Sequence, residues 1–357
     1  MDDLEPVGTQ KNLDRVVTYL RDQHLIDGPI DSVRAERAGM GQSYENWLVE
    51  VRTPELARFI VRREPASGPL EPYDIAREAH LLTALASHGV PVPPVLALCT
   101  DRDVLARPFA LFGFVEGDIP DYRNIASTAS WGDLATRRAM LESLVSVLAA
   151  IQAVDWRRPE FGAAVSEPSD GSPLPARIHR MRAQLETLRP TGSMELATIA
   201  DAGEWLITEG EQLPPTQLVL AHGDYRVGNL IWDGTDITSV LDWEMASVGD
   251  PMQDIGYLCH PLHREAHPDL IGMLGSRDEV FGLYEQATGR AVDVRRVHLY
   301  LIYALYFVAF TNVCLFLRTT AGATTDVRVP SNFPKTFRIL HRLLDEIARY
   351  EAGESFC

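Results

Sequence analysis

Asp224, Asn229 and Asp242 are the side chains of this sequence whose types and spacing best suit chemistry. Asp224 and Asn229 stand five residues apart after the strand-like segment 218–220, and Asp242 stands thirteen residues beyond Asn229, after the strand-like segment 237–241. A carboxylate can orient and deprotonate an acceptor hydroxyl, and carboxylate and amide oxygens are ligands that Mg²⁺ prefers. The spacing therefore indicates phosphoryl transfer, with Asp224 as the base and Asn229 and Asp242 as metal ligands.

Three motifs in this region resemble the aminoglycoside phosphotransferase and choline kinase-like family, whose members share the protein-kinase fold. The segment 222–229 (HGDYRVGN) is similar to the catalytic loop of that family, and the segment 241–244 (LDWE) is similar to its metal-binding segment. Gly249-Asp250-Pro251, with Asp254 behind it, matches the next signature. The resemblance implies an enzyme that uses ATP and Mg²⁺ to phosphorylate a small hydroxylated molecule.

The resemblance covers most of residues 30–260 and implies a bilobal, protein-kinase-like fold of the α+β class. Strand-like and helical segments alternate in the first third of the chain, and helical spacing dominates after Gly117. We therefore expect a small lobe with an antiparallel sheet at residues 1–114, which binds the nucleotide. A larger, mainly helical lobe at residues 115–357 is expected to hold the catalytic and substrate-binding residues.

A glycine-containing turn at residues 39–43 (GMGQS) is the candidate for a hairpin over the nucleotide phosphates. The backbone amide of Gly41 and the hydroxyl of Ser43 could donate to phosphate oxygens. The segment lacks the third glycine of the GxGxxG pattern, and an ordinary β-turn would explain it equally well.

Arg62 and Glu78 are the predicted ion pair that positions the phosphates. Strand alternation sends Arg62 and Arg63 to opposite faces, so only one of them can serve this site. Glu78 falls within an apolar helical stripe and not on its polar side. A carboxylate in such a place is costly unless it is paired, and Arg62 is the expected partner.

The segment 109–117 (FALFGFVEG) resembles the linker that joins the two lobes of kinases. By that resemblance, the backbone near Phe112, Gly113 and Phe114 is expected to bind the adenine.

Several neighbours of the motifs have alternative interpretations. By resemblance, His222 is expected to brace the loop through hydrogen bonds and not to transfer protons. Arg226 could contact a phosphate or a substrate carboxylate, or could pair with a neighbouring acid, and Glu244 could assist metal binding or hold structure. Asp250 is expected to cap a helix that begins with Pro251, with Gln253 completing a capping box. Asp254 would lie in the first turn and could accept bonds from the catalytic-loop backbone.

Charge and composition narrow the class of partner. Fifty acidic residues against 33 basic ones give a net charge of −17, which argues against nucleic-acid binding through bulk positive charge. The four cysteines show no metal-site or disulfide spacing, and the first residues do not resemble a signal peptide, so we expect a cytoplasmic protein. The uncharged segment 299–317 nearly suffices to span a bilayer, but its tyrosines favour a buried helix, so no membrane partner is expected.

Two other functions compete with the kinase. A nucleotide-binding protein without transferase activity would not need the Asp224 base. A metal-dependent hydrolase is disfavoured because the sequence has no GxSxG, HExxH or Walker A motif. The acceptor class stays open among aminoglycoside-like molecules, amino-alcohols and hydroxy-acyl compounds. The last class is included because HGDYRVGN and LDWE resemble the phosphotransferase domains fused to acyl-CoA dehydrogenases at least as well as they resemble resistance enzymes. The sequence does not predict the oligomeric state.

Overall fold

The computed structural model describes residues 5–39, 43–68, 70–120, 133–165, 173–188, 194–264, 267–322 and 328–356. The chain divides into two compact units. The N-terminal unit comprises Met1–Ser87 with Val92–Glu116, and the C-terminal unit comprises His88–Pro91 with Gly117–Cys357.

A five-stranded antiparallel sheet forms the centre of the N-terminal unit. Its strands are β1 (Ser32–Arg37), β2 (Glu45–Arg52), β3 (Leu56–Arg63), β4 (Val95–Cys99) and β5 (Phe109–Gly113). They lie in the order β1-β2-β3-β5-β4, and every neighbouring pair is antiparallel. Residues 53–55 make the tight connection between β2 and β3, where the Thr53 N–H donates to the Glu55 carbonyl at 2.9 Å. The predicted antiparallel sheet is confirmed.

In the described part of this unit, three helices accompany the sheet: α1 (Gln10–Asp22), α2 (Ile75–Ser87) and α3 (Arg102–Leu105). Helix α1 begins after Thr9, whose hydroxyl accepts from the Asn12 N–H. Its apolar face packs in one core with alternate residues of β3, among them Phe59 and Val61. The strand therefore presents residues 59, 61 and 63 to this core and leaves Arg62 on the other face.

Helices dominate the C-terminal unit, as predicted. They are α4 (Leu134–Ala153), α5 (Pro173–Thr187), α6 (Met194–Glu211), α7 (Met252–Leu258), α8 (Arg277–Thr288), α9 (Val294–Thr320) and α10 (Arg328–Glu351). Two short antiparallel pairs interrupt them: β6 (Val219–Ala221) with β9 (Ser247–Gly249), and β7 (Leu230–Asp233) with β8 (Asp236–Val240). These four strands carry the loops that hold the predicted catalytic residues.

Helix α9 contains the uncharged segment 299–317, and the whole helix is long and apolar enough to cross a membrane by length and composition alone. In its most apolar stretch of 18 residues, 72% are buried inside the protein. The hydroxyl of Tyr303, in the middle of the helix, accepts from the Arg177 guanidinium at 3.3 Å. The helix packs against α6, α7 and α10. The prediction of an internal helix is confirmed.

A fully buried carboxylate joins α9 to α10. Glu346 accepts from the His298 ring at 3.0 Å and pairs with Arg342 at 3.1 Å and Arg349 at 3.4 Å. Burial alone would raise the pKa of Glu346, but the His298 hydrogen bond and the two arginines outweigh it and lower this pKa. The carboxylate is therefore stabilised in its ionised form.

Glu346→Gln is expected to lower the free energy of unfolding at pH 7 by about 1–3 kcal/mol, since it removes a charged acceptor from buried donors. Because the pKa of Glu346 is lower in the folded chain than in the unfolded chain, its contribution is lost as the pH falls through the folded value. The difference in free energy of unfolding between wild type and Glu346→Gln, measured by urea denaturation, should therefore be smaller at about pH 4 than at pH 7. Asp345→Asn, which changes an exposed carboxylate on the same helix, is the control. An effect of Glu346→Gln no larger than that of the control at pH 7 would contradict this.

Candidate active site

A buried carboxylate, that of Asp254, anchors the backbone of the loop that carries Asp224. Asp254, in the first turn of α7, is fully buried and accepts from the backbone N–H groups of His222 at 2.9 Å and Gly223 at 2.8 Å. Burial raises the pKa of Asp254, and His222, the two N–H bonds and Arg177 oppose that rise. The expected acceptance of catalytic-loop bonds by Asp254 is confirmed.

Gly223 fits this loop for two steric reasons. Its φ is +87°, in the left-handed region. A Cβ at this position would also lie 2.7 Å from the carbonyl oxygen of Met245. A larger residue would therefore push the loop away from the turn that follows Asp242.

His222 ties the loop to the segment that ends at Asp242. Its Nδ1 accepts from the Asp224 N–H at 3.1 Å, so Nε2 carries the hydrogen and donates to the Leu241 carbonyl at 2.9 Å. Its ring packs on Trp243 with a centroid distance of 4.6 Å. The bracing role expected for His222 is thus visible in its hydrogen bonds.

Asp224 is held in one orientation by two neighbours from its own loop. The Asn229 amide nitrogen donates to Asp224 Oδ2 at 2.8 Å and to the Asp224 carbonyl at 2.9 Å. The Arg226 Nε donates to Asp224 Oδ1 at 3.0 Å. Of the alternatives for Arg226, the ion pair with a neighbouring acid is therefore present. The carboxylate is only 15% exposed.

Asp242 follows β8 and begins a short turn, Trp243–Met245, which also contains the half-buried Glu244. The backbone of Asp242 has φ +68° and ψ +61°, a left-handed conformation that is uncommon outside glycine. The Leu241 N–H donates to the Asn229 carbonyl at 2.8 Å, so the segments that carry the two predicted metal ligands are bonded to each other. Such strained residues persist where the surroundings fix them, often at functional sites.

The site residues predicted in the N-terminal unit include a bonded pair. Arg62 Nε lies 3.3 Å from Glu78 Oε2, and both residues are buried. Arg62 also contacts the Asn46 side-chain oxygen at 3.4 Å, and its guanidinium lies over the Tyr44 ring, 4.2 Å from the centroid. The predicted pairing of Arg62 with Glu78 is confirmed.

Arg63 occupies the opposite face of β3, as strand alternation predicts. It pairs with Glu45 at 2.6 Å and donates to the carbonyls of Leu105 at 3.2 Å and Glu5 at 2.9 Å. Its side chain is therefore bound within the core that α1 shares with the sheet.

The other predicted nucleotide contacts are placed as follows. Gly41 lies outside the described residues, and Ser43 is half-buried just before β2. Phe112 is buried in β5, while Phe114 directly follows that strand, with Arg58 over its ring at 5.3 Å. The Gly113 N–H donates to the Pro94 carbonyl at 2.8 Å, so this amide is engaged within the unit.

The predicted capping box before α7 is not formed. Asp250 does accept from the Met252 N–H at 2.8 Å, but Pro251 is the N-cap. Within the described residues, no side-chain hydrogen bond caps Pro251, and Gln253 is buried in the first turn of α7. The second oxygen of Asp250 instead forms a buried ion pair with Arg296. Burial raises the pKa of Asp250, and the charge of Arg296 opposes that rise. Local sequence spacing does not reveal this long-range pairing.

Comparison with known proteins assigns the family. The sequence profile described as "Phosphotransferase enzyme family" matches residues 34–290. The chain belongs to this phosphotransferase family. The match spans both the Arg62–Glu78 pair and the loop of Asp224.

Individual relatives agree with the family assignment. Acyl-CoA dehydrogenase family member 10 of Mus musculus is 29% identical over 236 residues, which cover 65% of this chain but only 20% of that protein. A provisionally assigned aminoglycoside phosphotransferase from Ralstonia eutropha has a TM-score of 0.69 at 23% identity, over 94% of this chain and 98% of that one.

A second solved structure is that of a thermostable mutant of aminoglycoside phosphotransferase APH(4)-Ia in ternary complex with ADP and hygromycin B. It has a TM-score of 0.61 at 16% identity, over 94% of this chain and 98% of that one. At these identities the structures establish the fold, and the predicted kinase-like fold is confirmed.

Sequence reasoning about this phosphotransferase-family protein missed Tyr44 and Asn46. Asn46 is the direct cross-strand partner of Arg62 in the β2–β3 hairpin. Extending the register from the predicted turn at residues 53–55 would have found it. The ring of Tyr44 over Arg62 depends on the packing of side chains and has no comparable signal.

Arg62→Ala and Arg63→Ala are expected to damage the phosphotransferase-family protein in different ways. Arg62→Ala should weaken ATP binding, because the phosphates lose the cation expected to hold them, and should also lower the free energy of unfolding, because the buried Glu78 is left unpaired. Arg63→Ala should lower the free energy of unfolding by about 3 kcal/mol, because buried acceptors lose their donor, and should change ATP affinity less. Calorimetric titration with MgATP and urea denaturation of both variants separate the two effects. Equal, negligible effects on ATP binding would show that Arg62 is the wrong cation.

Proposed function

We propose that this protein transfers the γ-phosphate of ATP, in the presence of Mg²⁺, to a hydroxyl of a small molecule. The observation that carries the proposal is the bonded constellation around Asp224, in which Asn229 and Arg226 fix the carboxylate and His222 links its loop to the segment of Asp242. A protein that only bound nucleotides would have no need of an oriented carboxylate at this place.

Asp224 acts on the acceptor. Its carboxylate orients the attacking hydroxyl and takes the hydroxyl proton as the oxygen approaches phosphorus. The bonds from Asn229 and Arg226 keep the carboxylate in one rotamer, so the acceptor hydroxyl meets the base in a fixed orientation.

Asn229 and Asp242 would hold the metal. The Asn229 amide nitrogen is bonded to Asp224, so the oxygen of that amide is directed elsewhere, and Asp242 supplies a carboxylate on the adjoining segment. Hard oxygen ligands of this kind fit Mg²⁺, which commonly takes one or two protein carboxylates, with substrate phosphates and water completing its shell. In the described residues, no three His, Cys, Asp or Glu side chains cluster as a metal site. When bound, Mg²⁺ would neutralise charge on the phosphates.

The N-terminal unit would bind the nucleotide. Arg62, held by Glu78, is the proposed contact to the phosphates, with Gly41 and Ser43 adding backbone and hydroxyl donors. The backbone at Phe112 and Phe114 is the proposed contact to the adenine. That APH(4)-Ia is found in complex with ADP supports a nucleotide site in this fold.

The proposal is tested by ADP release from the full chain with MgATP and a panel of alcohols, among them hygromycin B and ethanolamine. We expect at least one alcohol to raise ADP release well above the rate without acceptor, and Asp224→Asn to abolish that rise. Tight MgATP binding without any acceptor-dependent release would favour the nucleotide-binding alternative. Cleavage of phosphate esters without ATP would favour a hydrolase.

A further inference from the structure

Glu64 joins three elements of the N-terminal unit and has no part in the function proposed above. It directly follows β3, and its N–H donates to the Pro108 carbonyl at 3.0 Å, so it extends the pairing of β3 with β5 by one residue. Its own carbonyl accepts from the Arg107 guanidinium at 2.8 Å. Its side-chain oxygen accepts from the N–H of Ile75, the first residue of α2, at 3.0 Å. The backbone of Glu64 is thus fixed to the sheet, while its side chain holds the start of a helix.

The helix that Glu64 holds is the helix that carries Glu78. Arg62 and Glu64 are two residues apart, about 7 Å along a strand, and strand alternation places them on the same face. Ile75 and Glu78 are three residues apart, about 4.5 Å along a helix axis. Arg62 bonds to the Glu78 side chain at 3.3 Å, and Glu64 bonds to the Ile75 N–H. These two separate contacts fix the direction of α2 relative to β3, whereas a single contact would let the helix pivot.

Other contacts of α2 do not replace the bond from Glu64. The Asp74 side chain accepts from the Arg77 N–H at 2.9 Å, but this bond lies within the helix start itself and does not attach it to the sheet. Helix α2 also packs against β4 and β5, and the hydrophobic contribution to such packing has no directional preference. Glu64 therefore supplies a directional tie between the helix start and the strand of Arg62.

The surroundings of Glu64 indicate which substitutions are informative. Burial raises the pKa of Glu64, and the charge of Asp74 adds to that rise. The bond from the Ile75 N–H and the charges of Arg102 and Arg107 oppose it. Because burial disfavours the charged form, a neutral side chain with an acceptor oxygen can replace glutamate here. Glutamine is therefore the rescue variant, and alanine is the variant that removes the acceptor.

We propose that Glu64 is a positioning residue for the nucleotide phosphates: it fixes the start of α2 so that Glu78 holds Arg62 in the orientation that phosphate binding needs. The inference rests on the proposed function, in which Arg62 contacts the phosphates. Glu64 acts through the ion pair and is not assigned a contact with the nucleotide.

A double-mutant cycle on MgATP affinity tests the coupling. Glu64→Ala should raise the Kd of the full chain for MgATP about tenfold, roughly the worth of one hydrogen bond, and Glu64→Gln should recover most of the loss. Glu78→Met removes the carboxylate of the pair and suits its apolar surroundings. In that background, Glu64→Ala should change Kd by less than about twofold. An equal change in both backgrounds would show that Glu64 acts independently of the pair and would overturn the proposal.

Glu71→Ala is the matched control. Glu71 is half-buried, as Glu64 is, and lies in the segment between β3 and α2. Its side chain also accepts from a backbone N–H, that of Gly68, at 2.9 Å, but this bond does not involve the helix. Glu71→Ala should leave Kd for MgATP unchanged. An effect as large as that of Glu64→Ala would show that the loss of any acceptor in this segment weakens binding, and would contradict a specific role of Glu64.

The Nε–H NMR signal of Arg62 reports on the pair without ATP, because Nε is the atom that donates to Glu78. The signal is assigned through Arg62→Lys. In the ATP-free full chain, Glu64→Ala should move it toward its position in Glu78→Met, and Glu71→Ala should leave it in place. If the signal moves as expected but wild type does not bind MgATP, the positioning contact stands and the proposed function fails. If wild type phosphorylates an alcohol and neither the signal nor Kd responds to Glu64→Ala, the proposed function stands and this inference fails.

Discussion

Asp224→Asn is expected to bind MgATP as wild type does, while its rate of phosphate transfer falls by about 10²–10⁴-fold, the usual loss when a general base is removed. Asparagine has nearly the same shape as aspartate and retains one oxygen that can accept from Arg226. Its amide nitrogen cannot accept from Asn229, but Asn229 keeps its bond to the backbone carbonyl of residue 224. Asparagine cannot take the hydroxyl proton. The variant therefore removes the base and leaves the loop in position. Calorimetry with MgATP, together with turnover on the best acceptor of the panel, measures both effects.

The control for this variant is Asp233→Asn. Asp233 ends β7 with an exposed carboxylate, close in sequence to the loop but without a proposed role. It should leave both binding and turnover unchanged. If Asp224→Asn retains full turnover, the assignment of Asp224 as base is wrong. If it instead abolishes magnesium-dependent binding, Asp224 belongs to the metal site.

Asp242→Asn is expected to lose both transfer and the magnesium-dependent part of nucleotide affinity, because Mg²⁺ loses its anionic protein ligand. Asparagine tolerates the left-handed backbone of this position, whereas Asp242→Ala would add strain to the loss of the ligand. The ATP affinities measured with and without Mg²⁺ should therefore differ strongly for wild type and only slightly for Asp242→Asn. ATP affinity without Mg²⁺ should be the same for both proteins.

Both variants thus lose transfer but differ in magnesium-dependent nucleotide binding, and each serves as the control for the other. Full magnesium-dependent binding by Asp242→Asn, with the loss of that binding in Asp224→Asn, would reverse the two roles. Full turnover by both would contradict the kinase proposal itself.

The sequence predicted those parts of the site that depend on short spacing and on strand or helix periodicity. Asp224 and Asn229 are bonded as neighbours in one loop, and alternation along β3 sends Arg62 to Glu78 and Arg63 to the core. These contacts join residues of one motif, or residues whose apolar surroundings require a partner. Motif spacing places Asp224 and Asn229 together, and periodicity with the cost of an unpaired buried charge pairs Arg62 with Glu78.

Contacts that depend on tertiary packing could not be predicted in this way. Asp250 was expected only to cap a helix, yet it pairs with Arg296 on α9, and no local pattern selects one arginine among many. A small cavity is lined by Arg226 together with His263 and Gly272, two residues that come after α7 in the sequence. Their approach is set by how the helices pack.

The central claim is that this chain forms a phosphate ester from ATP and an alcohol. Phosphorus NMR of the full chain with MgATP and its best acceptor tests it most directly, because ADP, phosphate ester and inorganic phosphate give separate signals. The account predicts that ADP and a phosphate monoester appear together in equal amounts, and that Asp224→Asn forms neither at a comparable rate. Release of inorganic phosphate without any monoester, or an unchanged ATP spectrum with every alcohol, would contradict it.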